Sequence, residues 1–331
     1  MRRRDFVALL GSAAASLILR PRTARAQQPR MPVIGYLGAE SSDRFASRLR
    51  AFREGLAKAG FTEGHNVAIE YRWAEGSNER LPALAAELLR HPVSVLAAPG
   101  SIASALAAKA ATQTIPIVFE TGADPIVTGL VASLRQPGGN ITGVTSLNAA
   151  VGAKRLELLQ ELAPAAKTFA VLVNPSNPKN ADATTNDLQA AARTLGCSLQ
   201  VLNASTEAEF DPAFAALAEL KAGGLVIANE TFFASRSEQL AALTLRHRMP
   251  AVHQSREFVS AGGLLSYGGS VRQSHSQAGA YVGRILKGEK PGELPVVQVT
   301  TVELTVNLKT AKALGVNVPL TLLGRADEVI E

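Results

Sequence analysis

The chain has 331 residues, of which 47% are hydrophobic and 27 are glycine, and it carries a formal charge of +6 with a pI near 9.6. That length and apolar fraction suit two cores better than one. Residues 1–26 hold six arginines and one acid, so the rest of the chain is near +1, and neither nucleic acid nor an anionic surface is an expected partner.

Those first 26 residues read as a cleavable export signal: a basic start, an apolar run over residues 7–19, and Ala24, Arg25 and Ala26 as a small-x-small cleavage site. Arg3, Arg4, Asp5 and Phe6 resemble the twin-arginine type, with Arg2 and Val7 departing from the usual residues around it. Thirteen apolar residues are too few to span a bilayer. A periplasmic protein is therefore expected.

Strand and helix signals then alternate. An apolar run over 31–38 ends in Gly38, and Phe45, Leu49, Phe52 and Leu56 at helical spacing predict a helix over 43–59. A strand over 67–75 alternates Val67, Ile69, Tyr71 and Trp73, which makes Trp73 structural. A helix with Leu81, Leu84 and Leu88 follows, then a strand over 93–98 and an alanine-rich helix opened by Gly100 and Ser101. Residues 115–147 read as a strand, a helix capped by Asp124 with Pro125 at its first position, and a second strand over 141–147. Ile126, Leu130 and Leu134 would give that helix an apolar stripe. The pattern begins again after residue 151, with helices over 151–162, 181–195, 211–220 and 233–247 and strands over 168–174, 198–203, 224–229 and 251–254. Two α/β lobes with parallel sheets follow, divided near residues 147–152. Segments after residue 263 must attach to one or both lobes. Repeated crossing would make a multi-strand hinge beside a cleft.

Motifs for chemistry are sparse. The histidines, His65, His91, His247, His253 and His275, have no metal-ligand spacing, and no GxSxG, GxxxxGK[ST] or GxGxxG stands where a nucleophile or phosphate would need it. No cofactor and no enzyme activity are expected. Cys197, between Leu195 and Leu199, reads as a small buried apolar residue. What remains is a set of polar turns between strands and helices: Ser41 and Ser42; Gly100 and Ser101; Glu120, Thr121 and Asp124; Asn174, Ser176 and Asn177; Asn229 and Glu230; and Ser255. In doubly wound sheets such turns gather at one edge, where hydroxyls, amides and helix N-terminal donors suit a small polar or zwitterionic ligand. Each has a plainer role as well. Ser101 and Asp124 stand where caps are needed, the asparagine-proline pairs form turns, and Glu230 opens a helix.

ADPIVTGLVASLRQPGGNITGVTSL, VNPSNP, SREFVSAGGLLSYG and NLKTAKALGVNVPLTLLGRADEVIE together resemble the substrate-binding proteins of ABC transporters, in the group that includes tryptophan- and tyrosine-associated binding proteins. The resemblance implies a periplasmic-binding-protein type I fold: two Rossmann-like lobes joined by crossing strands. Lobe one would take residues 31–147 and about 268–298, and lobe two residues 148–267 and about 299–331. Ser146 and Leu147 would form the first crossing, with the second near Ser266 and Tyr267 and the third within residues 299–304. Tyr267 would then stack on a ligand or pack beside the hinge. The implied function is delivery of a small organic solute, amino-acid-like or an aromatic carboxylate, by a monomer to a permease and ATPase of the inner membrane. A periplasmic enzyme and a sensory ligand-binding module remain as alternatives.

Overall fold

The computed structural model describes residues 31–331 apart from Leu147, Ala149 and Ala150, so the expected leader and the Leu147 half of the first crossing lie outside the described residues. The first run of elements is β1 (Val33–Gly38), α1 (Ala46–Lys58), β2 (Ala68–Trp73), α2 (Leu81–Leu88), β3 (Val95–Pro99), α3 (Ile102–Ala111), β4 (Ile117–Thr121) and β5 (Ile141–Thr145). The second is α4 (Gly152–Leu162), β6 (Thr168–Val173), α5 (Pro178–Leu195), β7 (Ser198–Asn203), α6 (Phe210–Glu219), β8 (Leu225–Ile227), α7 (Thr231–Ala234), α8 (Ser237–Arg246), β9 (Ala251–His253), α9 (Arg256–Ser260) and β10 (Leu265–Gly269). The chain ends with α10 (Val271–Leu286), β11 (Val297–Gln298), β12 (Val302–Asn307), α11 (Leu308–Leu314), α12 (Leu320–Leu323) and β13 (Glu328–Ile330).

Two sheets result. The first runs β11-β5-β4-β3-β1-β2 with every pairing parallel, and the second runs β13-β12-β10-β9-β8-β6-β7 with only β10 and β12 antiparallel among the described strands. Strands β3, β4 and β5 are buried along their whole length, as continuous apolar runs covered on both faces must be. Their alternate side chains feed two cores, one around Leu96, Phe119 and Ile102 and one around Tyr36, Phe52 and Val118. The second sheet has its own core around Phe169, Phe214 and Phe258, against which half-buried Cys197 packs.

The helix expected after Asp124 does not form. Asp124 Oδ1 accepts from the amides of Ile126 (2.7 Å) and Val127 (3.2 Å), as a cap should, but one turn later Gly129 takes φ of +72° and the chain leaves helical geometry. Ile126 and Val127 are exposed at 45% and 72%, so the start of the apolar stripe has no wall to cover, while Leu130 and Val131 reach the core and Leu134 packs against it half-buried. The helix expected over 233–247 is two, because Arg236 between α7 and α8 is non-helical (φ −116°, ψ 26°).

Among the described elements the chain passes between the sheets three times: after β5, at Ser270 between β10 and α10, and between β11 and β12. The passages are hydrogen-bonded to one another. Val299 N donates to Thr145 O (2.8 Å), Ser270 N to Thr301 O (3.2 Å), and Gly269 N to Asn148 Oδ1 (2.8 Å). Arg155 of α4, fully buried, donates through Nε to Tyr267 O (2.7 Å) and through Nη2 to Asn148 (3.3 Å). With no carboxylate beside it, burial lowers its pKa to about 9, so it stays protonated at neutral pH. Helix α10 crosses back to pack on α1, and the two approach closely because Gly55 and Gly279 are bare. A Cβ on Gly55 would stand 1.7 Å from Ser276 O, and one on Gly279 2.0 Å from Phe52 O. That contact fixes α1 and α10 side by side.

Candidate functional site

The carboxyl ends of the two sheets face and touch. Thr231 Oγ1, at the start of α7, donates to Gly100 O at the end of β3. Arg236 Nη1 lies 3.0 Å from both oxygens of Glu40, which follows β1; the arginine side chain is 9% exposed and the glutamate 2%. Arg236 Nε also donates to Glu207 Oε1 (3.0 Å), and its guanidinium sits 4.0 Å from the Phe232 ring centroid. Farther out, Arg44 Nη2 reaches Glu207 (3.0 Å) and Asn78 Nδ2 reaches Ser176 Oγ (3.5 Å). A Cβ on Gly122 would lie 2.4 Å from Asn229 Nδ2. The cleft is therefore closed from Gly122 outward to Asn78.

Two buried carboxylates flank this line. Glu120 accepts from Ser274 Oγ (2.8 Å) and lies 3.6 Å from His275 Nε2. Glu230 accepts from Asn177 Nδ2 (2.9 Å) and Asn180 Nδ2 (3.3 Å). Burial raises the Glu230 pKa to about 7, against the Asn177 hydrogen bond and reinforced by the nearby charge of Glu40. At neutral pH this carboxyl is poised between forms.

The neighbouring histidines are neutral, since desolvation lowers the pKa of both, with Glu120 partly opposing it at His275. Their tautomers follow from their partners. Ser255 N can only donate, so His253 Nδ1 (3.3 Å) accepts and the proton sits on Nε2; Val271 O can only accept, so His275 Nδ1 (2.9 Å) carries the proton and Nε2 is bare. Both Nε2 atoms are buried without a hydrogen-bond partner, and so are Asn174 Nδ2 and Gln254 Oε1. Seven side-chain N or O atoms among the described residues are buried in this state, and these four sit at strand ends or at the start of the second turn of α10. A buried polar atom without a partner costs about 1–3 kcal/mol. Of the four, Gln254 lines a cavity at this edge, and the other three lie near the same carboxyl edge of the sheets.

The sequence-derived residues divide into those the fold brings together and those it does not. Gly100, Ser101, Thr121, Asn229 and Glu230 surround one small space of about 20 Å³, room for roughly one water. Ser101 Oγ is spent on Ala103 N (3.1 Å) as the cap of α3, and Thr121 Oγ1 on Ala123 N (3.1 Å). Asn177 and Glu230 are joined directly, Asn174 bonds Ser176, and Ser255 bonds His253, all at the same edge. Ser146 accepts from Asn148 Nδ2 (3.0 Å) in the first passage. Ser41 and Ser42 bond only within their own turn, and Asp124 is exposed and caps its turn. Tyr267 packs against the core of the second sheet. Sequence reading missed Glu40 and Arg236, Thr231, Asn180, His253, His275, and Arg48, a buried arginine on α1.

A larger cavity of about 400 Å³ lies beside the passages, lined by Arg48, Gln254, Ser255, Ser266, Ser270 and Thr305 among others. Among the described residues no three His, Cys, Asp or Glu side chains are placed to hold a metal ion, and no helix is long and apolar enough to cross a membrane.

Comparison with known proteins decides what this architecture belongs to. The family described as ABC transporter substrate binding protein matches residues 40–330. The chain belongs to this family. As a substrate-binding protein it is 28% identical over 265 residues to a tyrosine-binding protein of Clostridioides difficile, covering 80% of this chain and 75% of that one. It is similar in structure to a conserved domain protein from Vibrio cholerae (28% identity, TM-score 0.83) and to a Streptococcus protein in complex with L-tryptophan (24%, TM-score 0.82), each over 90% of this chain and 99% of the other. A ligand-free, open substrate binding protein from Clostridium difficile, covered to the same extent, gives 26% and a TM-score of 0.63. The fold of this substrate-binding protein is accordingly the periplasmic-binding-protein type I fold: α/β, with two mostly parallel sheets.

Proposed function

We propose that the chain is an exported solute receptor of an ABC transporter, which closes its two lobes on a small amino-acid-like or aromatic carboxylate molecule and presents the closed form to a membrane permease and its ATPase. Lobe one comprises residues 31–147 and about 268–298, and lobe two residues 148–267 and about 299–331. The observation that carries this reading is the closed contact line from Gly122 to Asn78 running past four buried polar atoms without partners. Closing costs those atoms their water, and a solute that bonds them returns the stability. The ligand acts by differential affinity for the closed state, with no covalent step. The amino acids named for two relatives, tyrosine and tryptophan, support the solute class. Better agreement with the tryptophan complex than with the open protein supports reading the arrangement as the closed form. The leader supports export through the twin-arginine route, with cleavage near Ala26; the protein acts as a monomer in the periplasm.

The test is melting of the purified exported protein against a panel of amino acids and aromatic acids. A true ligand at a hundredfold excess over Kd adds about 2.7 kcal/mol and raises Tm by roughly 5 °C or more. A flat response across amino acids, aromatic acids and other small polar solutes contradicts the proposal.

A further inference from the structure

Three arginines are nearly or fully buried at the cleft and hinge, and they differ in what they hold. Arg236 is paired with Glu40, and Arg155 is bonded to Tyr267 O and Asn148 Oδ1. Arg48, on the first turn of α1, is 9% exposed, lies 4.8 Å from the Phe45 ring centroid, and has no ion pair or side-chain hydrogen bond among the described residues. It lines the 400 Å³ cavity beside the hinge. None of the Arg48 nitrogens is among the buried polar atoms without partners, so they open onto the cavity with their donors unspent, where an incoming anion can take them. The same wall carries the first turn of the sixteen-residue helix α10, capped by Ser270, whose leading amides also favour an anion. The facing wall, from lobe two, contributes Gln254 and the carboxylates of Glu257 and Glu303. Arg256 and Arg272 also line the cavity, but each is already paired, with Glu328 and Glu54, so Arg48 is the lining guanidinium without an ion partner among the described residues, and the cavity matches a molecule with a carboxylate at one end.

We propose that Arg48 is the carboxylate anchor of the solute site: the solute is a small organic carboxylate whose carboxylate lies on the Arg48 guanidinium in the cavity beside the hinge. This rests on the receptor reading above. The alternative seat at the start of α3 has its hydroxyl, Ser101 Oγ, already spent and only about 20 Å³ beside it. Arg48 offers five donors and a volume sufficient for an aromatic amino acid.

The test is calorimetric titration of the purified exported protein and of R48M and R48K with three probes: L-tyrosine, 3-(4-hydroxyphenyl)propionate, which lacks the ammonium, and tyramine, which lacks the carboxylate. Expected is a loss of about 100-fold for both carboxylates in R48M, partial recovery in R48K, and unchanged affinity for tyramine. Without solute, R48M melts no lower than the parent, because the guanidinium holds no ion pair or side-chain hydrogen bond that the substitution would break; a structural arginine would lower it. If R48M does not fold, R48K carries the test, with about tenfold weaker binding of the two carboxylates and unchanged binding of tyramine. Equal affinity of the parent and R48M for L-tyrosine overturns the anchor while the receptor stands, and so does a parent that binds tyramine but neither carboxylate. A parent that binds no small solute of any class removes the receptor reading and the anchor with it.

Discussion

The two ends of the cleft are built differently. From Gly122 outward the lobes meet through direct contacts, and the space enclosed with Ser101, Thr121 and Glu230 is down to about 20 Å³; beside α1 and α10 the lobes stand apart around about 400 Å³. The tight end spends its charges internally, Arg236 on Glu40, whereas the open end leaves Arg48 unspent. The difference separates two tasks. On the receptor reading proposed above, the rim holds the lobes together once they meet, and the region near the hinge gives the incoming solute groups to bind.

Removing the rim pair has the largest expected effect. Arg236→Met leaves Glu40 buried and unpaired, at a cost of about 3–5 kcal/mol to the closed form, and solute affinity measured by calorimetry falls at least a hundredfold. Glu40→Met combined with Arg236→Met recovers much of it. If Arg236→Met alone binds like the parent, the rim does not hold the lobes.

The next effect is in pH. Glu230 titrates near 7 when folded, against 4.5 for an ordinary glutamate. Below pH 4.5 both folded and unfolded forms are protonated and the group contributes nothing. Between 4.5 and 7 the folded form keeps a proton that the unfolded form releases, so stability falls as pH rises; above 7 the whole cost, on the order of 3 kcal/mol, is present. Glu230→Gln keeps an acceptor for Asn177 and loses the charge. It should melt higher than the parent at pH 8 and no differently at pH 4, and equal melting at pH 8 would refute the assignment.

A smaller change sharpens the contrast between the two ends. Gly122→Ala forces the Asn229 amide, 2.4 Å from the new Cβ, to move, and should weaken solute binding by about 1 kcal/mol with little loss of stability in the absence of solute. The smallest effect is at Asp124. Its alanine variant loses a cap worth about 0.5–1 kcal/mol in melting and leaves solute affinity unchanged, because the side chain is exposed and caps only its own turn.

Asp124 also shows where the sequence could mislead. Asp124, Pro125 and an apolar spacing are local helix signals, and local signals lose when no wall exists for Ile126 and Val127 and Gly129 turns the chain away. The parallel sheets were legible because β3, β4 and β5 are continuous apolar runs, and Ser101 because capping is local. Arg48 and Arg236 were not. Each sits in an amphipathic helical pattern at a position that reads as a solvated charge, and only tertiary packing, of α10 on α1 and of lobe two on Glu40, buries it. Glu40 likewise reads as a loop acid until β1 and Arg236 are both in place.

The central claim is that a solute closes the lobes. Spin labels on Glu79→Cys and Ser205→Cys, at the mouth of the cleft, with Cys197 replaced by alanine, report the distance across the rim. With saturating solute, pulsed electron paramagnetic resonance should give one short, narrow distance, and without it a longer and broader distribution. The same distribution under both conditions would contradict the account.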